Sequence, residues 1–214
     1  PIFFEGADFI WEQTCTGEIK LECKNRVFTL PKPSLIGPHQ IQNAAIAATS
    51  IIYSGNFTPL DDRLFSGMEF AKWPGRVQFI KQGKLLNYRD ARPIWIDGAH
   101  NLHGATALAT SLAQITDGKW TLIAGMLNTR KPGDVFLPLK SLTSEIFTIA
   151  IPGQTASLSA QELSDICQGL GIKANAKSSL SEALSATSES EFVVICGSLY
   201  LAGHALLLND TLPE

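Results

Sequence analysis

The stretch Ile94-Trp95-Ile96-Asp97-Gly98-Ala99-His100-Asn101 decides the fold of this chain. Three apolar residues, two of them β-branched, predict a short buried strand. An acid and a histidine follow directly, just past the carboxyl end of that strand. Open α/β sheets bind their ligands at this edge, so the stretch predicts both an α/β domain and the place of its site.

Outward from this strand, short β-rich runs alternate with helical ones. The predicted strands cover residues 77–80, 93–96, 120–124, 146–149 and 192–196. The predicted helices cover residues 105–115, 133–142, 160–170, 180–186 and 199–208. This alternation predicts a Rossmann-like, mostly parallel sheet with helices on both faces, in a self-sufficient α/β domain over residues 76–214.

Residues 1–75 follow a different pattern. Residues 19–30 predict a hairpin that turns at Lys24-Asn25, and an Ala-rich helix is predicted to begin at Pro38. A second helix is predicted over 59–72, before Pro74-Gly75 breaks the chain. We expect this part to be the tail end of a domain whose main sheet lies upstream, since the chain begins without an initiator Met.

The composition argues against two classes of partner. The net charge is −3 and the pI is near 5.8, without the basic stripe that nucleic-acid binding requires. The apolar stretch 199–208 is interrupted by Gly203 and His204 and is far shorter than the ~20 residues of a membrane-spanning helix. We therefore expect a soluble protein that binds neither nucleic acid nor membrane.

The cysteines do not form a recognisable framework. They stand at positions 15, 23, 167 and 196, without a Cys-x-x-Cys pair, and two of them lie inside apolar strand-like runs. This spacing favours buried reduced thiols over disulfides or a zinc site.

Asp97 and His100 are the first candidate site residues. Asp97 can accept hydrogen bonds from ribose hydroxyls or orient a cation, and His100 can donate to a phosphate or a carboxylate. Asn101 can cap the following helix. The structural alternative is an acid in a strand-end turn beside a solvated histidine. A metal site made with His103 is weaker, because two histidines three residues apart and one carboxylate are a poor ligand pattern.

Three further residues are candidate site residues because of their positions in the sequence. Arg76 follows a rigid turn and suits a phosphate or carboxylate, or else is a surface arginine at a domain junction. Asn43 can hydrogen-bond a base edge, or cap or satisfy its own helix. Ser198 opens a helix after an apolar strand, where it can help to hold an anion or act as a simple N-cap. The chain contains no Gly-x-x-x-x-Gly-Lys-Ser/Thr loop for gripping nucleotide phosphates.

Several segments occur together in the order seen in folylpolyglutamate synthases. They are Gly37-Pro38-His39-Gln40 with Asn43-Ala44-Ala45, Trp73-Pro74-Gly75-Arg76, Asp97-Gly98-Ala99-His100-Asn101, Ala124-Gly125-Met126-Leu127 and Cys196-Gly197-Ser198-Leu199-Tyr200-Leu201-Ala202-Gly203. The chain thus resembles that family, whose bacterial branch often acts also as dihydrofolate synthase and which belongs to the Mur ligase superfamily. The resemblance covers residues 35–205.

The resemblance implies an ATP-dependent amide ligase. A pterin-linked carboxylate would take the γ-phosphate of ATP, and the amino group of L-glutamate would displace phosphate from the resulting acyl phosphate. The implied substrates are L-glutamate and a folate or dihydropteroate. ATP and Mg²⁺ are the implied cofactors, with the metal ligands mainly upstream of this chain. A cytoplasmic location and a monomer in full length are also implied.

The resemblance assigns roles residue by residue. Asn43 would lie near the adenine, Arg76 would contact nucleotide phosphate, and Asp97 would approach the ribose. His100 and Ser198 would lie near the transferred phosphate and the incoming glutamate. Asp97 and His100 are therefore the predicted catalytic residues, and no metal ligand is assigned to this chain.

The resemblance also assigns the two parts. Residues 1–75 would be the C-terminal part of a P-loop ATPase domain, and residues 76–214 the whole Mur ligase C-terminal domain. The missing N-terminal part would be the partner of this chain, so the isolated chain is predicted to be inactive. Another Mur-type amino-acid ligase and a non-catalytic binding module are the alternative functions.

Two positions depart from the family pattern. Leu102 stands where a proline is common, and the loop Asn128-Thr129-Arg130-Lys131-Pro132 stands where many members carry a Lys-Asp pair. Arg130 or Lys131 can supply a cation there, and whether this loop contacts nucleotide stays open.

Overall fold

The structure is a computed structural model that describes residues 2–56, 62–187 and 189–211, with only the backbone of residues 62 and 63. The chain divides into two compact units, Pro1–Trp73 and Pro74–Glu214. This division lies two residues before the boundary that the sequence predicts.

The first unit contains a three-stranded antiparallel sheet. Its strands are β1 (Phe9–Gln13), β2 (Ile19–Cys23) and β3 (Arg26–Leu30), in the order β1-β2-β3. The predicted hairpin is confirmed, and both turn residues, Lys24 and Asn25, have positive φ angles of 49° and 57°. A two-residue turn of this kind matches the twist of the strands that it joins.

One helix covers one face of this sheet. The predicted helix is confirmed as α1 (Pro38–Ser54), which begins on Pro38 and ends at Gly55 in the left-handed conformation. Its buried side packs with inward-facing strand residues in a single core of Phe9, Ile19, Leu21, Cys23, Phe28, Leu30, Ile41, Ala45, Ala48, Ile52 and Phe65. On the strands, Ile10 and Val27 stay 54% and 58% exposed.

Two elements of this unit differ from the sequence prediction. The segment Asp62–Glu69 is a 3₁₀ helix, so the predicted α-helix over 59–72 is wrong where it can be checked; residues 57–61 lie outside the described residues. Ser66 and Gly67 in the middle of the segment lower its α-helix propensity. Strand β1 was not predicted, because only Phe9 of its five residues is fully buried.

The second unit contains a six-stranded sheet. Its strands are β4 (Gln78–Ile80), β5 (Ile94–Ile96), β6 (Trp120–Ala124), β7 (Thr143–Thr148), β8 (Ala174–Ala176) and β9 (Phe192–Cys196), in the order β4-β5-β9-β6-β7-β8. Only β4 is antiparallel to its neighbour; the other five strands are parallel. The predicted mostly parallel α/β fold is therefore confirmed.

Helices cover both faces of this sheet. The helices are α2 (Leu102–Ile115), α3 (Pro132–Leu139), α4 (Ala160–Gly169), α5 (Leu180–Ser185) and α6 (Leu199–Leu208). Helices α2, α3 and α4 pack on one face, and α5 and α6 pack on the other with the 3₁₀ segment Lys84–Arg89. Strand β9 shows the division, since Val194 and Cys196 enter the first core while Val193 and Ile195 enter the second.

The second unit also holds elements that the sequence did not predict. Strand β8 is only three residues of alanine and asparagine, types that are depleted in strands. The 3₁₀ segment Lys84–Arg89 was missed as well. The predicted helix 133–142 is α3 followed by a 3₁₀ turn, Lys140–Leu142; Pro138, which lacks a backbone N–H, stands at the end of the α-helical part.

Cys23 and Cys196 lie on strands and are buried, as the sequence predicts; Cys167 is also buried and Cys15 is exposed. Within the described ranges, no helix combines the length and the apolar character needed to cross a bilayer.

Candidate functional site

The candidate site lies at the carboxyl edge of the second sheet, where three neighbouring strands end. Backbone hydrogen bonds join the segments that follow β5, β9 and β6. Asp97 N–H donates to Ile195 O at 2.9 Å, and Gly197 N–H donates to Ala99 O at 3.0 Å. Gly125 N–H donates to Cys196 O at 3.4 Å. The sequence segments that carry the candidate residues thus form one hydrogen-bonded edge.

Asp97 is buried in this edge, with 5% of its surface exposed. Its Oδ2 accepts from the backbone N–H of Val77 at 2.8 Å, and its Oδ1 accepts from that of Ala99 at 2.7 Å. Both carboxylate oxygens of Asp97 therefore accept hydrogen bonds from backbone N–H groups of this chain. The predicted contact of Asp97 with a ribose or a cation stays a prediction.

Burial raises the pKa of Asp97, because removal from water disfavours the charged form. The hydrogen bonds from Val77 and Ala99 act in the opposite direction, as do the charges of Arg76 and His100. Val77, which follows Arg76, donates its N–H to Asp97, and His100 lies in the turn that follows Asp97. The structure therefore brings the backbone at Arg76, Asp97 and His100 to the same edge of the sheet.

His100 is half-buried, and its ring orientation is fixed by a backbone carbonyl. Its Nδ1 lies 2.9 Å from Gly98 O. A carbonyl oxygen can only accept, so Nδ1 carries the proton and donates. In the neutral imidazole this leaves Nε2 as an acceptor, and in the protonated ring Nε2 is a donor to an anion.

Ser198 begins helix α6 and is 4% exposed. Its hydroxyl accepts from Tyr200 N–H at 3.1 Å, which confirms the N-cap interpretation. The preceding Gly197 has φ 103°, and a Cβ there would stand 2.8 Å from Gly125 O. Only glycine fits this turn, and Ser198 is consequently held beside the segment after β6. Its predicted contact with substrate remains a prediction.

Arg76 is half-buried in the linker that enters the second unit. Among the described residues, it makes no hydrogen bond and no ion pair; its charge is sensed by Asp97. A guanidinium without a carboxylate partner can bind a phosphate in two-pronged geometry.

Asn43 belongs to the first unit and is described there by itself. It is exposed on α1, and its Nδ2 donates to Gln40 Oε1 at 3.1 Å. Among the residues that the structure describes, no donor reaches the Oδ1 of Asn43, which can accept a hydrogen bond from a base edge. Asn101 caps α2, as predicted, by accepting from Gly104 N–H at 2.9 Å.

The weaker metal interpretation finds no support in the geometry. In the ranges that the structure describes, no group of three His, Cys, Asp or Glu side chains could hold a metal ion. His103 is exposed on the first turn of α2. In the loop before α3, Arg130 and Lys131 are also exposed, while Asn128 N–H donates to Ala156 O at 2.8 Å.

With this geometry established, comparison with known proteins decides the family. The profile of the family described as dihydrofolate synthetase, C-terminal domain, matches residues 84–208, more than half of the chain. The chain belongs to this family. The resemblance to folylpolyglutamate and dihydrofolate synthases that the motifs indicate is confirmed.

A curated relative from the same family is similar over most of this chain. The folylpolyglutamate synthase of Lacticaseibacillus casei is 31% identical over 200 residues, which cover 90% of this chain and 42% of that protein. The chain spans less than half the length of this relative.

Solved structures share the fold of this family member. The folylpolyglutamate synthase of Mycobacterium tuberculosis, complexed with ADP and AMPPCP, matches with a TM-score of 0.81 at 22% identity, over 98% of this chain and 50% of that one. A bifunctional folylpolyglutamate synthase/dihydrofolate synthase with Mn, AMPPNP and L-glutamate bound matches with a TM-score of 0.74 at 24% identity, over 95% of this chain and 46% of that one.

The contacts that hold the linker were not predicted from the sequence. The structure shows hydrogen bonds of Asp97 to Val77 and Ala99, and the predicted ligand contact of Asp97 stays a prediction. The signal for a close approach was Gly98, whose N–H donates to Gly75 O of the linker at 2.7 Å and where a Cβ would collide with the side chain of Leu199 at the start of α6. A glycine directly after a buried strand and acid indicates that another segment lies against it.

Proposed function

We propose that this chain is the C-terminal part of an ATP-dependent ligase that adds L-glutamate to a folate or dihydropteroate carboxylate. The observation that carries the proposal is that, in a member of this family, Arg76 is half-buried at the carboxyl edge of the sheet near Asp97 and His100. Among the described residues, no hydrogen bond or ion pair occupies its guanidinium. The related structures with bound nucleotides and L-glutamate support it.

In the proposed reaction, the acceptor carboxylate takes the γ-phosphate of ATP, and the amino group of glutamate then displaces phosphate from the acyl phosphate. Arg76 would neutralise charge on the nucleotide phosphates. His100, with Nδ1 fixed on Gly98 O, would present Nε2 to the transferred phosphate or to the carboxylate of glutamate. Ser198 would lie beside it at the start of α6, and Asn43 would bind the adenine edge.

The described residues do not fit a magnesium site, since no group of three suitable ligands occurs among them. A related structure has Mn bound, which supports a divalent ion in the reaction of the longer protein. The glutamate-dependent chemistry accordingly needs the longer protein.

The test is glutamate-dependent ADP release by the longer protein, with ATP and either tetrahydrofolate or dihydropteroate. We expect the 214-residue chain alone to give none. Arg76→Ala in the longer protein should lower kcat/KM for ATP on the order of 10²-fold, because one cation at the developing charge is lost.

Lys173→Ala is the matched control. Lys173 is an exposed cation directly before β8, at the opposite edge of the sheet, where it pairs with Glu145. Its removal should leave kcat/KM unchanged. Turnover with a different amino acid and none with glutamate would support another Mur-type ligase and contradict this proposal.

A further inference from the structure

Three side chains at the start of helix α1 form a chain of hydrogen bonds. Asn43 Nδ2 donates to Gln40 Oε1 at 3.1 Å, and Gln40 Nε2 lies 3.0 Å from His39 Nε2. Gln40 and Asn43 are three residues apart, a spacing that places two side chains next to each other on a helix. The chain of bonds runs from half-buried His39 through Gln40, which is 7% exposed, to the exposed Asn43. A buried amide thus lies directly behind an exposed one.

The chemistry of these groups fixes the direction of each hydrogen bond. An amide NH₂ can only donate, so His39 Nε2 accepts from Gln40 and carries no proton. With its NH₂ facing His39, Gln40 turns its oxygen toward Asn43, and that oxygen can only accept. The NH₂ of Asn43 must therefore face Gln40. Half a turn of the Asn43 amide would place two oxygens against each other and would leave the oxygen of the buried Gln40 without its donor.

This orientation determines what Asn43 offers to a ligand. Gln40 takes one hydrogen of the NH₂, which leaves the second hydrogen and Oδ1 of Asn43 as a donor and an acceptor side by side. Adenine carries the matching pair on one edge, an N6 amine that donates and an N7 that accepts. Guanine carries O6 and N7 there, two acceptors, so its O6 would meet the oxygen of Asn43. The amide in this orientation favours adenine over guanine.

We propose that Gln40 is a positioning residue that makes the site prefer adenine over guanine nucleotides, because it holds the Asn43 amide with Oδ1 available to the exocyclic amine of the base. The contact of Asn43 with a base rests on the proposed function. The control of its amide by Gln40 goes beyond that function. An Asn43 amide that rotated freely could turn its NH₂ toward O6 of guanine and would accept either base.

The deciding measurement is the ratio of two affinities of the longer protein, for ATP and for GTP, by calorimetry without folate or glutamate. Gln40→Met keeps the length of the side chain and removes both of its hydrogen-bonding groups. We expect this change to lower the preference for ATP over GTP about tenfold, because the Asn43 amide is no longer held. A purely structural loss would weaken both affinities alike and leave their ratio as it was. An unchanged ratio in Gln40→Met would overturn the role of Gln40.

Gln42→Met is the matched control, since it is the same substitution two residues further along α1. Gln42 is exposed, and its Nε2 donates to Glu5 Oε2 at 2.8 Å. Its replacement should leave the ratio of the two affinities unchanged. An equal fall in the Gln40 and Gln42 variants would show that the preference does not depend on the hydrogen bond between Gln40 and Asn43.

Gln40→Glu tests the acceptor by itself. The carboxylate keeps an oxygen toward Asn43 Nδ2, so the preference for ATP should be retained. A fall as large as that of Gln40→Met would contradict the role of the Gln40 oxygen. If Gln40→Met does not fold, Gln40→Asn takes its place, because an amide one methylene shorter cannot bridge His39 and Asn43. The same fall in the ratio is then expected, and an unchanged ratio would count against the positioning of Asn43.

The role of Gln40 and the ligase function can fail separately, because the affinities are measured without turnover. A longer protein that prefers ATP through Gln40 but shows no glutamate-dependent ADP release would contradict the ligase function and support the role of Gln40. A longer protein with that release and equal affinities for ATP and GTP would support the ligase function and overturn the role of Gln40.

Discussion

The two sheets of this chain differ in how many of their faces are covered. Every residue of β6 is buried, because helices pack on both faces of the six-stranded sheet. In the three-stranded sheet, buried and exposed positions alternate along β2, and Ile10 and Val27 remain exposed on β1 and β3. A sheet covered on both faces produces continuous apolar runs, and one covered on a single face produces alternation.

The two units also differ in how many of their helix starts are capped by side chains. Helix α1 begins at Gly37 without a side-chain cap. In the second unit, side chains of Asn101, Ser159, Ser179 and Ser198 accept from backbone N–H groups at the starts of α2, α4, α5 and α6. Helix α3 begins without a side-chain cap, as α1 does, so side chains cap four of the five α-helices described in the second unit.

The largest expected effect on stability comes from separating the chain into its two units. Residues 74–214 alone should unfold in one cooperative thermal transition, because two complete cores lie within them. Residues 2–73 alone should lack such a transition, since their single core is small for independent stability. Circular dichroism during heating distinguishes the two; cooperative unfolding of residues 2–73 would refute the contrast.

A smaller effect compares the same substitution on the two sheets. Val193→Thr, at a fully buried position of β9, should lower the free energy of unfolding by about 2 kcal/mol, because a hydroxyl replaces a methyl group in the core. Val27→Thr, at a 58% exposed position of β3, should change it by less than about 0.5 kcal/mol. Urea titrations of the two variants give both values, and equal losses would contradict the difference in burial.

The smallest effect concerns the caps of the second unit. Hydrogen bonds from the side chain and backbone of Ser159 lower the pKa of Glu162, which completes the capping box of α4. A lowered folded-state pKa means that this contribution is present above the ordinary value of 4.5 and is lost as the pH falls through the folded value. Glu162→Gln should therefore lower the melting temperature at pH 7 and have a diminishing effect toward pH 3.

Glu191→Gln is the control for this change. Glu191 is exposed before β9 and takes part in no helix cap within the described part of the chain. Its replacement should give no difference between the two pH values. A pH-independent effect of Glu162→Gln would show that the carboxylate charge does not act in the cap.

Much of the fold could be predicted because burial leaves a local pattern. The run Phe192–Cys196 is continuously apolar, and Trp120–Ala124 is apolar except for Thr121. Both strands were predicted with the correct ends. Strand β8 and the 3₁₀ segment Lys84–Arg89 were not found, since three residues of low β-propensity and one short irregular turn carry no periodicity of their own.

The positions of the candidate site residues could be predicted from the sequence, but not all of their contacts. The strand-end positions of Asp97, His100 and Ser198 follow from sequence order alone, because parallel strands end at one edge. The hydrogen bond between Val77 and Asp97 could not be predicted, since these residues are twenty positions apart. It also depends on a left-handed φ at Val77, a conformation that valine rarely adopts.

The sequence by itself therefore determined the class of fold, the family and the edge at which the candidate residues lie, because hydrophobic pattern and motif order are local properties. Only the tertiary structure decided what those residues touch. Asp97 holds Val77 and Ala99, His100 is oriented by Gly98 O, and Arg76 is left without a carboxylate partner among the described residues. Hydrogen-bond partners depend on which distant segments the packed sheet brings within 3 Å, and no local pattern encodes that.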